Sequence, residues 1–186
     1  MSPIVEIESA EAKTLNLSRF FAAPRSLVFR IWTDARYVAL WWGVEGATNP
    51  ICEMDVRPGG SWRINMRTAG GTLYPNGGEY LEVIENERLV YTDIADASSP
   101  AWGGSPPGTA VHTVTFRDEG CGTRVRIHIR FSSAEDLNRL IESGFEDGLG
   151  QGFDRFERLV ASVLGNPDAL SSAGFETPSA RQEEAP

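Results

Sequence analysis

Between Asn49 and Phe131 apolar residues recur at every second position, in six short runs joined by turns. Period two marks strands with one dry face, and links this short leave room only for antiparallel pairing. Cys52, Met54 and Val56 share one face of the first run, and Trp62, Ile64 and Met66 follow the turn at Pro58-Gly59-Gly60. Further strands are expected near 78–85, 88–94, 109–117 and 123–131. The run 78–85 alternates poorly, which leaves open whether Tyr80 and Glu82 or Leu81 and Val83 face inward. A sheet with one dry face needs a cover. The spacing predicts it as a long helix from near Ser133, with Glu135 and Asp136 in its first turn, to about Leu164.

Ahead of the sheet, Lys13 to Ala23 reads as a strand with Leu15, Leu17 and Phe21 on one side. Pro24 then opens a short helix to Thr33, whose Leu27, Val28, Ile31 and Trp32 fall at helical spacing. Asp34 caps a second short helix that ends at Trp41-Trp42-Gly43. The expected fold class is therefore α+β: six to seven antiparallel strands, two short helices after the first, and a long C-terminal helix over the dry face.

With 186 residues, 41% of them hydrophobic, the chain has material for one core. We expect residues 13–164 to form it, with 1–12 as an extension and 165–186 as an acidic tail, disordered or loosely docked. Of the net charge of −9, the two ends carry −3 each. A nearly balanced middle offers no broad positive field, so nucleic acid is not an expected partner. No run of apolar residues suggests a membrane span or a leader peptide, and a cytoplasmic protein is expected. Cys52 and Cys121 stand alone, with no metal-ligand spacing, and no cofactor is implied.

The most informative hairpin turns at Asp118 to Gly122. Val114 and Phe116 are even-numbered, whereas Val125, Ile127 and Ile129 are odd, so a shared dry face requires paired numbers to sum to 239 or 241. Either register sets His112 inside, opposite Ile127 or Ile129, and His128 outside among Arg124, Arg126 and Arg130. An inward histidine is either satisfied by a neighbour or is a polar group in a pocket, able to act as acid or base.

On the long helix, Phe145, Leu149, Phe153, Phe156, Leu159, Val160 and Val163 form a stripe that Gly148 and Gly152 interrupt. Missing side chains leave room for a ligand, for a bulky sheet residue such as Trp62, or for a kink. The candidate cavity surface comprises Met54, Trp62, Ile64 and Met66, then His112, Val114 and Phe116, then Phe145, Gly148, Leu149 and Gly152. Trp102, in the Gly/Pro/Ser-rich loop 96–108, is a candidate lid. Arg19 shares the inward face with Leu17, where a guanidinium needs a carboxylate or an anionic ligand. No nucleophile motif, phosphate loop or HExxH pair is present.

The runs LSRFFAAPRSLVFRIWTDARYVALWWG, DVRPGGSWRINMR and SGFEDGLGQGFDRFERL resemble the domain homologous to the C-terminal half of the activator of the 90-kDa heat-shock protein ATPase, in the START-related helix-grip superfamily. The similarity covers about residues 13 to 163. It implies a curved antiparallel sheet gripping a long C-terminal helix around an internal cavity, which in relatives holds lipids, polyketides or other apolar molecules. Three functions are expected, in this order: a carrier of a small apolar or amphipathic molecule, an enzyme of cyclase, dehydratase or hydrolase type with His112 as acid or base, and a chaperone-associated activator or stress protein.

Overall fold

The computed structural model describes residues 4–8, 13–103, 106, 108–142 and 144–166. Its elements in chain order are β1 (Ile4–Glu8), β2 (Thr14–Phe21), α1 (Arg25–Thr33), α2 (Ala35–Trp41), β3 (Thr48–Met54), β4 (Ser61–Arg67), β5 (Leu73–Ile84), β6 (Arg88–Ala95), β7 (Ala110–Glu119), β8 (Gly122–Phe131), α3 (Ala134–Glu142) and α4 (Phe145–Gly165), with a 3-10 turn at Pro100–Trp102. The strands form one curved antiparallel sheet in the order β1-β2-β8-β7-β6-β5-β4-β3. Ile4–Glu8 adds an eighth strand at the edge, from a segment expected to be an appendage. The expected tail lies outside the described residues beyond 166. Among the described residues no helix is long and apolar enough to cross a membrane.

The β7–β8 register pairs His112 with Ile129 and Phe116 with Val125, a sum of 241. This is one of the two registers that the alternation permits, and it buries Val114, Phe116, Val125, Ile127 and Ile129 together. The ambiguity of 78–85 has a physical cause: a bulge lies between Tyr80 and Glu82. The extra residue switches parity, so Tyr80 is buried, Leu81 is exposed, and Val83 packs on the core again.

The helical cover is two helices where one was expected. Gly144 adopts φ +77°, a left-handed conformation that ends α3 and caps α4, so the chain bends between them. The C-terminal half of α4 is anchored on the sheet and the first helices through Phe156, whose ring lies 4.7 Å from Phe21, 5.0 Å from Trp41 and 5.4 Å from Trp32. Arg19 of β2 reaches the same helix and donates to Asp154 (2.7 Å) and Glu157. The carboxylates that an inward Arg19 needs thus come from the helix, and the ion pairs join it to the sheet. These contacts close one end of the space between sheet and helix and leave the other end open.

Candidate functional site

The open end is a cavity of about 530 Å3 under the N-terminal half of α4. Its floor is the concave face of β4 to β8, its walls are α3, α4 and the end of α2, and Trp102 lies at its side. The indole of Trp102 meets the Tyr74 ring edge-on at 4.9 Å. The lining is dominated by aromatic groups, among them Trp42, Tyr91 and Phe153, with a few polar side chains converging between them. A broader hollow of about 600 Å3 lies on the opposite, convex face between β2, β7 and β8. There His128 hydrogen-bonds Asn16 (2.7 Å) and Arg124 is bound to Glu119, which is the ordinary appearance of a polar sheet surface. A concave apolar pocket with few polar groups is the better candidate.

The polar centre of the cavity is built by adjacent strands. His112 of β7 pairs with Tyr91 of β6, and their rings stack at 5.1 Å. Two residues along β6, on the same face, Asp93 presents Oδ2 at 3.5 Å from His112 Nε2. Protein surrounds the Asp93 side chain, yet 26% of it stays accessible because it lines the cavity. Burial pushes the Asp93 carboxyl up to about 7 and the His112 imidazole down to about 4. Both shifts favour neutral forms, as desolvation must. Over the range between those values the pair holds one proton, on the carboxyl.

Of the residues expected at the cavity surface, Met66, Trp102, His112, Phe145, Gly148, Leu149 and Gly152 line it. Met54, Trp62, Ile64, Val114 and Phe116 do not. Val114 and Phe116 lie farther along β7, where α1 covers the sheet, and Phe116 packs on Phe29 (5.2 Å) and Trp32 (5.8 Å). Ile64 is core, and Met54 lies on the edge strand β3. Trp62 reaches past its cross-strand partner Gly78 and donates to Thr92 O (3.0 Å). A Cβ at Gly78 would stand 2.7 Å from that indole nitrogen, so the glycine makes the reach possible. Tyr74, Tyr91, Asp93 and Arg139 were missed. For Asp93 a signal existed, since Leu89, Tyr91, Asp93 and Ala95 share parity.

The two helix glycines differ. A Cβ on Gly148 would touch only the tip of Val44, at 3.5 Å, and otherwise meet open space. On Gly152 it would lie 3.4 Å from Gly43 O and 4.0 Å from Trp41 O, ordinary packing distances, so a Cβ would fit but a longer side chain would press on the backbone at the end of α2. Arg155, one turn on, ties α4 to that end: its guanidinium donates to the carbonyls of Leu40, Trp42, Gly43, Val44 and Ala47, at 2.7 to 3.3 Å. Among the described residues no group of three His, Cys, Asp or Glu side chains could hold a metal ion.

A curved antiparallel sheet closed by C-terminal helices over a cavity defines the helix-grip class of α+β domains. Within it, the chain belongs to the family of Activator of Hsp90 ATPase homolog 1-like proteins, whose sequence model matches residues 22–161. Solved structures agree on the fold. A protein from Mycobacterium smegmatis superposes with a TM-score of 0.77 at 23% identity, covering 88% of this chain and 99% of its own. One from Chromobacterium violaceum gives 0.65 at 27% identity, over 80% and 96%. The AHSA1 protein from Silicibacter pomeroyi gives 0.64 at 22% identity, over 80% and 98%. No curated protein is significantly similar to the chain.

Proposed function

We propose that this protein binds a small apolar or amphipathic molecule in the cavity between its sheet and its C-terminal helices. The observation that carries the reading is an aromatic-lined space of about 530 Å3 with a few convergent polar groups, of the size and make-up that small-ligand sites share. Family membership supports the class of function, and the ligand must be sought from this chain's own residues. Native mass spectrometry of freshly purified protein tests it. A retained adduct of constant mass, released on denaturation, is expected. Protein that carries none and takes up no apolar fluorescent probe would reject the reading.

A second reading, an enzyme working in the same cavity, is favoured by the contact between Asp93 and His112. A buried carboxyl beside a neutral imidazole is a chemically competent acid or base for a bound substrate. Loss of turnover with unchanged ligand affinity in His112→Ala would separate catalysis from carriage.

A further inference from the structure

The charges around the cavity do not balance. From α3, Arg139 enters the lining, but it is bound to Glu135 (2.8 Å) and stands 3.7 Å from Asp136, so that helix brings more negative than positive charge. From β5 come Tyr74 and Asn76, the latter donating to Tyr74 O (3.2 Å). The lining groups of α4 and of the α2 end carry no charge, and Arg155 behind them is committed to five carbonyls. From β7 comes His112, which burial keeps neutral at physiological pH. Asp93 is left without a cation. Among the described residues His112 Nε2 is the basic group that approaches it, at 3.5 Å, beyond ordinary hydrogen-bond length, and the Tyr91 hydroxyl lies near enough to feel its charge. A carboxylate so placed is costly until a charged donor reaches it.

The groups beside Asp93 are rings. Trp42, Tyr74, Tyr91 and Trp102 line the same cavity, and their faces attract cations while their bodies cover apolar surface. From the unmatched carboxylate within an aromatic wall we infer that the cavity selects a lipophilic amine, its ammonium on Asp93 and its apolar body against the rings. This rests on the cavity reading above and gives it a ligand class. An anionic ligand would meet Asp93 with Arg139 already engaged. A neutral ligand could pair only with the protonated carboxyl and would lose that partner as pH rises past about 7. The raised Asp93 carboxyl, at about 7, is what a site waiting for a cation should show, and the arriving ammonium should displace its proton.

The test is calorimetric titration of the full chain with three probes of one shape: naphthylmethylamine, naphthylmethanol and naphthoate. At about pH 8, where the amine is charged and Asp93 is ionised, the amine should bind about tenfold or more tighter than the alcohol. Its affinity should fall about tenfold per pH unit below about pH 7, as Asp93 takes a proton. Asp93→Asn should bring amine and alcohol to equal affinity while the alcohol still binds. A reading that needs no variant is proton release: near neutral pH, amine binding should release protons into buffer and alcohol binding none. Tightest binding of alcohol or naphthoate, an amine preference that survives Asp93→Asn, or no proton release would overturn the amine assignment and leave the cavity reading standing. Failure of all three probes to bind would overturn the cavity reading itself.

Discussion

Asp93 Oδ2 stands 3.5 Å from His112 Nε2, on neighbouring strands of the cavity floor. Neither group is paired with an opposite permanent charge, and burial drives both toward their neutral forms, the carboxyl to about 7 and the imidazole to about 4. The two shifts have opposite consequences for stability. The carboxyl binds its proton more tightly when folded, so its contribution is full below about pH 4 and is lost as pH rises toward 7. The imidazole binds its proton more weakly when folded, so its contribution is full above about 6.5 and is lost as pH falls toward 4.

Across about pH 4 to 7 the two slopes oppose each other in the wild type and largely cancel. Asp93→Asn removes one of them, and its melting temperature relative to wild type should fall as pH is lowered through this window. His112→Gln should show the reverse, a relative loss as pH is raised. Melting curves of the three proteins in matched buffers check this. Parallel pH profiles would show that the pair is hydrated and unshifted.

Gly148 and Gly152 should respond differently to the same substitution. Gly148→Leu gains roughly 0.8 to 1 kcal/mol of helix propensity and places its side chain in the cavity, so stability should hold or rise while an apolar probe no longer binds. Gly152→Leu forces a side chain against the Gly43 backbone and should cost about 1 to 3 kcal/mol. Denaturant titration and probe fluorescence on both variants decide it. Equal destabilisation would mean that the space at Gly148 is filled in solution.

The sequence showed most where a period ran long enough to be overdetermined. Ten-residue strands with matched parity left the β7–β8 hairpin two registers, both with His112 inward, and the structure adopts one of them. The bulge at Leu81 was invisible as such, because one inserted residue looks the same as weak alternation. The break at Gly144 was masked by apolar spacing that continues across it, since a left-handed glycine changes direction without interrupting composition. Asp93 was passed over although its parity places it inward, because a carboxylate among β residues is usually solvated. Arg155 gave no signal at all. Its partners are backbone carbonyls, and no side-chain pattern announces those.

Arg155 is the clasp between α4 and the turn after α2, with five carbonyl partners. Arg155→Met keeps much of the apolar stem and removes every donor, leaving those carbonyls short of partners. A loss of about 2 to 4 kcal/mol is expected by chemical denaturation, given that single bonds to charged donors contribute about 1.5 to 3 kcal/mol and are not additive. A change under about 0.5 kcal/mol, the range of ordinary surface substitutions, would show that water replaces the guanidinium without cost.

Trp102 borders the cavity from a 3-10 turn that is joined to the sheet through few contacts, chiefly its ring against Tyr74 at 4.9 Å and Ser99 Oγ donating to Leu73 O at 3.3 Å. A group held this lightly governs access more than stability. Trp102→Ala removes an aromatic pair, a loss of about 0.5 to 1.5 kcal/mol in contact energy, and should change global stability by no more than that. Dissociation of a bound apolar probe should accelerate by several-fold while its association changes less, since the wall that Trp102 supplies acts mainly on the bound state. Stopped-flow displacement of the probe measures both rates. If dissociation is unchanged and stability falls sharply, Trp102 is a structural plug, and the path into the cavity lies elsewhere.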